Sequence, residues 1–418
     1  MIYKLMPGLR FLLNYQRSFL SGDITAGITV AILFIPQCIA YSIIAGAPPI
    51  YGLYAATLPL LVYVLFGSSR FLSVGPVSIV GLLAFSGISS IVEPESSQFL
   101  GLVVLLGVVV GGIQFALGCI HFGKIVDFIP SALISGFTSA VALIIAFNQL
   151  KHLFGVKLTP YKEVVSFFTD LSLKLSQVNP YTLLIGIASM ILLIVVKKFK
   201  PILPGSFIVV VLGTFIVAWT DLYRKDVSIV GTIPGGLPEL TIPSIHMDTI
   251  MLLLPIAFGI AVISFLESYA VAKALADKNG DSLQANQELR GIGLANIASS
   301  FVGAIPVAGA FSRTAVNYQS GAKTNLSSII TVLIILITLL FFTPLFYFLP
   351  KSALAAIIIV SVIGLVDVKR AKYLMKHPQT DTVIFMVTFL ATLFIGVLYG
   401  LVGGIILSIL FVLAKKSL

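Results

Sequence analysis

Charge is what this 418-residue sequence has least of. Asp, Glu, Lys and Arg make up 10% of it and apolar residues 58%, where a soluble protein carries roughly a quarter charged residues. So few charges cannot cover a water-soluble globule of this length, which excludes a string of soluble domains. Mean hydropathy is +1.09. Cysteine is nearly absent. Cys38 and Cys119 each lie in an apolar run, which excludes a disulfide framework and a thiolate metal cluster. The four histidines, His121, His152, His246 and His377, have no ligand spacing, so no metal site is expected. Basic residues outnumber acidic ones 26 to 16, for a net charge of +10. They form no stripe and do not interleave with aromatics, so nucleic acid is not an expected partner. Anionic lipid headgroups and the Lys/Arg bias of cytoplasmic loops account for the excess. A nucleotide-binding loop is also missing. Ser320-Gly321-Ala322-Lys323-Thr324 lacks the upstream Gly and the Gly-Lys adjacency of a P-loop. No catalytic constellation appears among the apolar runs, so neither an enzyme nor a cofactor is expected.

What the sequence has is apolar length. A bilayer needs about 20 apolar residues per helix. Candidate spans are Ile24–Ile44, Tyr51–Phe66, Gln98–Ile120, Ile125–Leu150, Tyr181–Val196, Leu203–Thr220, Thr249–Leu275 and Glu288–Ile305. Leu326–Phe342, Ser352–Val366, Thr382–Gly396 and Val397–Lys415 complete the long set. Two shorter stretches, Ser73–Ser90 and Val307–Gly321, are broken by Gly, Pro and Ser. The expected fold class is an all-α polytopic membrane protein of about fourteen segments, integral and multi-pass, in a bacterial inner membrane or a plasma membrane. Residues 1–22 mix Lys4, Arg10 and Arg17 with Tyr3, Phe11 and Phe19. They read as an uncleaved amphipathic lead-in on the cytoplasmic surface. With the N-terminus inside, 18 Lys/Arg fall in inside loops and seven in outside loops, with Arg313 in a span. That asymmetry puts both termini in the cytoplasm.

The two broken stretches look alike. Val74-Gly75-Pro76-Val77-Ser78 can be laid on Ala308-Gly309-Ala310-Phe311-Ser312, which points to half-helices at spans 3 and 10 and to an inverted repeat. Half-helix N-termini aimed at the membrane midplane are a transporter device for anions. Two charges stand out deep in spans, where each costs at least about 2.5 kcal/mol. Glu267 reads as a coupling site that takes up a proton or holds Na⁺, or as a structural partner of Arg313. Arg313 reads as a fixed positive fork facing an oxyanion, or as the neutraliser of Glu267. Ser78 and Ser312, near the half-helix N-termini, either help bind an anion or cap their helices. Gln37 and Tyr41, four apart after Pro36, share one helix face as a pocket wall or a packing hydrogen bond. Gly107-x-x-x-Gly111 permits close helix approach. Asp23 reads as the N-cap of the first span. Lys197, Lys198 and Lys200 read as a solvated cytoplasmic face, and Lys369–Lys376 as another, or as a surface-lying helix.

Three blocks carry a family resemblance. The first is Pro49-Ile50-Tyr51-Gly52-Leu53-Tyr54-Ala55-Ala56, continued by Leu61-Val62-Tyr63 and Gly67-Ser68-Ser69-Arg70. The second is Gly309-Ala310-Phe311-Ser312-Arg313-Thr314-Ala315-Val316-Asn317, with Gly321-Ala322-Lys323-Thr324 after it. The third is Glu267-Ser268, Lys273-Ala274-Leu275-Ala276 and Ala285-Asn286-Gln287-Glu288. Together they resemble the SulP sulfate permease family of anion transporters, and the third looks most like its proton-coupled sulfate carriers. The resemblance runs from about residue 10 to the end.

It implies a 7+7 inverted repeat, the fold shared with nucleobase permeases. The implied core domain is 23–120 (spans 1–4) with 249–343 (spans 8–11). The implied gate domain is 121–248 (spans 5–7) with 344–418 (spans 12–14), and the core would move against it as an elevator. The implied anion pocket is Gln37, Tyr41, Val77, Ser78, Phe311, Ser312 and Arg313. Glu267 is the implied proton- or cation-coupling residue, and a homodimer the implied assembly. Two departures matter. Ala310 replaces the family's more frequent Ser, removing one hydroxyl from the presumed site. Family members also continue into a soluble STAS domain, whereas this chain stops at Lys415-Lys416-Ser417-Leu418, as if cut at that boundary. The expected function is proton-coupled sulfate symport in a membrane. Bicarbonate, chloride or a dicarboxylate, Na⁺ coupling, exchange, and an uncoupled anion channel remain open. A nucleobase permease shares the fold but not these motifs.

Overall fold

The computed structural model describes residues 6–94, 96–123, 130–159, 161, 163–200, 203–243, 246–376 and 380–416. Most of them are helical. In chain order the helices are α1 (Gly8–Leu13), α2 (Leu20–Ile44), α3 (Pro49–Tyr54) and α4 (Leu58–Phe66), then strand β1 (Val74–Gly75), α5 (Ser78–Ile88) and α6 (Ser97–Cys119). Next come α7 (Ser131–Phe154), α8 (Val164–Lys174), α9 (Pro180–Phe199), α10 (Gly205–Trp219), α11 (Met247–Asn279) and α12 (Ala285–Phe301). Strand β2 (Ala308–Gly309), α13 (Phe311–Gln319), α14 (Leu326–Ile337), α15 (Lys351–Ile363), α16 (Val368–Lys376), α17 (Thr380–Phe394) and α18 (Val397–Lys416) complete the chain. Among the described residues seven helices are long and apolar enough to cross a membrane, and five more of 10–17 residues are apolar. The chain is an integral, multi-pass membrane protein. Where lipid offers no hydrogen bonds, a helix satisfies its backbone internally, and these apolar runs fold accordingly.

The chain splits into two compact units, Met1–Lys124 with Thr232–Tyr347 and Ile125–Gly231 with Phe348–Leu418. In the first unit the tightest seam runs between α6 and α12. A Cβ on Gly107 would stand 2.4 Å from Ser300 Oγ, and one on Gly111 2.5 Å from the Gly293 carbonyl. The close approach that the Gly107/Gly111 spacing permits is therefore realised. The glycine of the Pro49–Ala56 block has the same purpose. A Cβ on Gly52 would fall 1.9 Å from the Cys38 carbonyl, so only Gly lets α3 lie against α2. In the second unit, the buried Val156, Leu158 and Phe167 form a small core under α8. Beside it the Asp170 carboxylate accepts from Thr159 N and Oγ1 and pairs with Lys174 at 2.8 Å. These bonds hold the Asp170 carboxyl down at about 2.

One reading changes. Asp23 does not cap the first span, because α2 begins at Leu20 and buries Asp23 inside its first turn. Its carboxylate instead accepts from Lys323 N (2.7 Å), Thr324 N (3.0 Å) and Thr324 Oγ1 (2.7 Å), so it fastens the turn that leads into α14. In the lead-in, Gly8 O accepts from Asn325 Nδ2, which also donates to Val64 O. Lys369–Lys376 does fold as part of a helix, α16, with Asp367 Oδ1 accepting from Arg370 N at its start. Lys4, Glu95, Lys124, Lys162 and His377, and the opening of the expected Ile125–Leu150 span, lie outside the described residues.

Candidate anion site

The site is built on two strands of two residues each. β1 and β2 pair antiparallel, with Val74 opposite Gly309 and Gly75 opposite Ala308. Each strand runs straight into a half-helix, α5 from β1 and α13 from β2. The stretches that look alike in sequence are thus hydrogen-bonded to each other, and two helix N-termini with free backbone N–H groups start from one strand pair. Beyond the pairing, α13 grips the β1 segment. Thr314 Oγ1 accepts from Ser73 N at 3.0 Å, Asn317 Nδ2 donates to Phe71 O at 2.9 Å, and Arg313 Nη1 donates to Pro76 O at 3.0 Å.

Arg313 is 1% exposed, among the largest fully buried side chains. Its Nη1 also reaches Gln37 Oε1 at 3.3 Å, and its guanidinium carbon stands 4.1 Å above the Phe34 ring. Nε and Nη2 are buried and have no hydrogen-bond partner. A buried guanidinium with two unmatched donor nitrogens presents a planar fork that suits an oxyanion. Gln37, Tyr41, Val77 and Ser78 are all buried in the same unit, while Phe311, 62% exposed, and Ser312 are open at the head of α13. Neither serine caps: Ser78 and Ser312 sit one and two residues past the caps Val77 and Ala310, which make no side-chain cap bond. Gln37 meets Arg313 through that Nη1–Oε1 bond.

Glu267, on α11, is half-buried, and its Oε2 is sealed from solvent without a hydrogen-bond partner. No ion pair or hydrogen bond joins it to Arg313, although the two charges are near enough to act on each other. The structural ion pair considered from the sequence is therefore not formed in this state.

Among the described residues two further charges are as buried as Arg313, and the sequence reading gave neither of them the partners it has. Asp23 is one. The other is Glu288, at the start of α12 and 0% exposed. Its carboxylate accepts from Tyr63 Oη, Ser68 N and Ser68 Oγ, each at 2.7 Å, and from Ser69 N at 3.2 Å. Arg70 completes the clasp with two bonds to Asp281, at 2.8 and 2.9 Å. Tyr63, Ser68, Ser69 and Arg70 of the first block thus grip the α11–α12 connection. A charge in the first turn of a helix was the available signal, but its partners lie some 220 residues away.

Comparison with known proteins agrees with this architecture. The family model described as "Sulfate permease family" matches residues 20–388. The chain is 39% identical over 403 residues to the probable sulfate transporter 4.2 of Arabidopsis thaliana, covering 94% of this chain and 59% of that one. It spans about three fifths of the length of such plant relatives. Murine Solute Carrier 26 family member A9, an anion transporter solved in the inward-facing state, superposes with a TM-score of 0.93 at 26% identity, over 99% of this chain and 72% of that one. The transmembrane domain of the cyanobacterial bicarbonate transporter BicA gives 0.80 at 25% identity, over 94% and 98%. With most of its length matched by one family model and its fold shared with solved anion transporters, the chain belongs to the sulfate permease family.

Proposed function

We propose that the chain carries an inorganic oxyanion across the membrane by secondary active transport, with sulfate as substrate and protons as the coupling ion. The observation that carries this is the buried Arg313, whose Nε and Nη2 lack partners beside two half-helix N-termini on one strand pair. A fixed positive charge with open donors, set in apolar surroundings, binds an anion and little else. Gln37, Tyr41, Val77, Ser78, Phe311 and Ser312 form the rest of the pocket. Glu267 supplies the coupling. Its sealed Oε2 gains by taking a proton, and a proton entering with sulfate offsets the anion's charge. Relatives named for sulfate support the choice of anion. Ala310 is what favours a second substrate, bicarbonate, because one hydroxyl is missing where the family more often has Ser. BicA, named for bicarbonate, shares the fold.

The wider reading follows the same logic. Fourteen spans form two inverted sevens. The unit holding the site is the mobile core and the other unit the gate, working as an elevator in a homodimer with both termini cytoplasmic. The test is uptake of labelled sulfate into proteoliposomes, with and without an acid-outside pH step, for the wild-type protein and Glu267→Gln. Uptake stimulated by the step in the wild type and indifferent to it in the mutant is the expected result. Uptake indifferent to pH in both sinks proton symport. Conduction that persists in Glu267→Gln without a gradient points to a channel.

A further inference from the structure

β2 is a two-residue strand in the middle of a membrane protein, and only one of its edges meets β1. Its other edge, and the chain leading into it, would leave polar groups stranded, each costly to bury. Side chains from two helices meet them. On α12, Asn296 lies 0% exposed. Its Oδ1 accepts from Val307 N at 2.8 Å and its Nδ2 donates to Val307 O at 3.0 Å. The carboxamide thus stands in for the peptide of a missing neighbouring strand. Its orientation is set by Gln114 of α6, which accepts from Asn296 Nδ2 at 3.0 Å and donates to Ala261 O at 3.1 Å. On α11, Ser268 Oγ donates to Ser264 O and accepts from Gly309 N at 2.8 Å. Ser299 Oγ closes the set on Ile305 O at 2.6 Å. None of these side chains reaches Arg313 or the head of α13.

We propose that Ser268 and Asn296 are positioning residues: they fasten β2, and through it set how tightly the α13 N-terminus and Arg313 hold the anion. Ser268 follows Glu267 directly in the chain, so the helix carrying the coupling carboxylate is itself fastened to the strand that launches the anion-binding half-helix. This inference rests on the reading of the Arg313 site as the anion's.

The experiment compares wild type, Ser268→Ala, Asn296→Ala and Ser300→Ala. Ser300 is the control. It is equally buried on α12 and donates to Val104 O at 2.7 Å, away from β2. Two readouts are taken: hydrogen–deuterium exchange of peptides spanning 305–312 in detergent, and sulfate uptake against concentration in proteoliposomes. Ser268→Ala and Asn296→Ala are expected to speed exchange of that segment. They are also expected to raise the half-saturating sulfate concentration about tenfold, the scale of one buried hydrogen bond left unmade, with maximal rate within about twofold. Ser300→Ala moves neither readout. Unchanged exchange in both strand variants overturns the anchoring. Faster exchange with wild-type half-saturation overturns the link to the site. If one variant does not fold, the other carries the test from a different helix. If the wild type takes up no sulfate, the substrate reading falls, and the exchange result still decides the anchoring.

Discussion

Arg313→Lys separates a binding arginine from a structural one. The guanidinium makes one hydrogen bond to Pro76 O, a longer one to Gln37 Oε1, and stacks on Phe34 at 4.1 Å, while Nε and Nη2 stay open. Lysine keeps the charge and offers three donors on a point-like head. It can satisfy Pro76 O but cannot present two parallel donors to an oxyanion while doing so. The loss is at least one charge-assisted hydrogen bond, about 1.5–3 kcal/mol, with roughly 0.5–1 kcal/mol more from the lost stacking. At about 1.4 kcal/mol per decade, half-saturating sulfate should rise on the order of 30- to 700-fold. Protein stability should change far less, since Pro76 O keeps a donor. The assay is concentration-dependent uptake in proteoliposomes, beside a melting curve of the same preparation. Half-saturation within threefold of wild type, with a lowered melting midpoint, would show that Arg313 serves the fold alone and refute the reasoning.

Other outcomes follow from the geometry. Asp23→Ala strands the N–H groups of Lys323 and Thr324 and removes the partner of the Thr324 hydroxyl. A stability loss of about 2–4 kcal/mol is expected, and a smaller one for Asp23→Asn, which still accepts both N–H groups; thermal melts in detergent rank them. Gly111→Leu should abolish folded yield on size exclusion, because a Cβ there meets backbone of Gly293 and Ile297 at 2.5 and 2.8 Å that has no room to give. Gly112→Leu should be silent, as nothing lies within 4 Å. The Asp170 carboxyl sits at about 2, below its ordinary 3.8, so its hold on Thr159 is complete above pH 4 and lost only as pH falls through about 2. Pepsin cleavage of the 155–163 loop, referenced to an unfolded substrate, should therefore be slow at pH 4.5 and faster at pH 2. Asp170→Asn should be cleaved readily at both.

Some of this architecture can be read directly from residues. Apolar runs of membrane length fold as helices because lipid leaves backbone groups no other partner, and where those runs lie needed no structure. Gly107 and Gly111 announce a close approach, although not against which atoms. The likeness of 74–78 to 308–312 pointed to paired half-helices. Arg313 and Glu267 stood out because an isolated charge is conspicuous in an apolar run. Where charge lay near a helix start the same logic misled. Asp23 looked like a cap for its own helix and proved to be the acceptor that fastens the Lys323–Thr324 turn before α14. Glu288 looked like an ordinary span start and proved to be the acceptor for Tyr63, Ser68 and Ser69.

What the sequence determined by itself is therefore local: which stretches enter the membrane, where helices break, and which side chains are chemically out of place there. Tertiary structure alone decided what those side chains meet. Strands of two residues have no periodicity to detect, and Val74 finds Gly309 across 235 positions. Asn296 and Ser268 are unremarkable polar residues until β2 is laid beside them. Burial without water makes each polar group demand a partner, and no local pattern can name a partner that arrives from more than two hundred residues away.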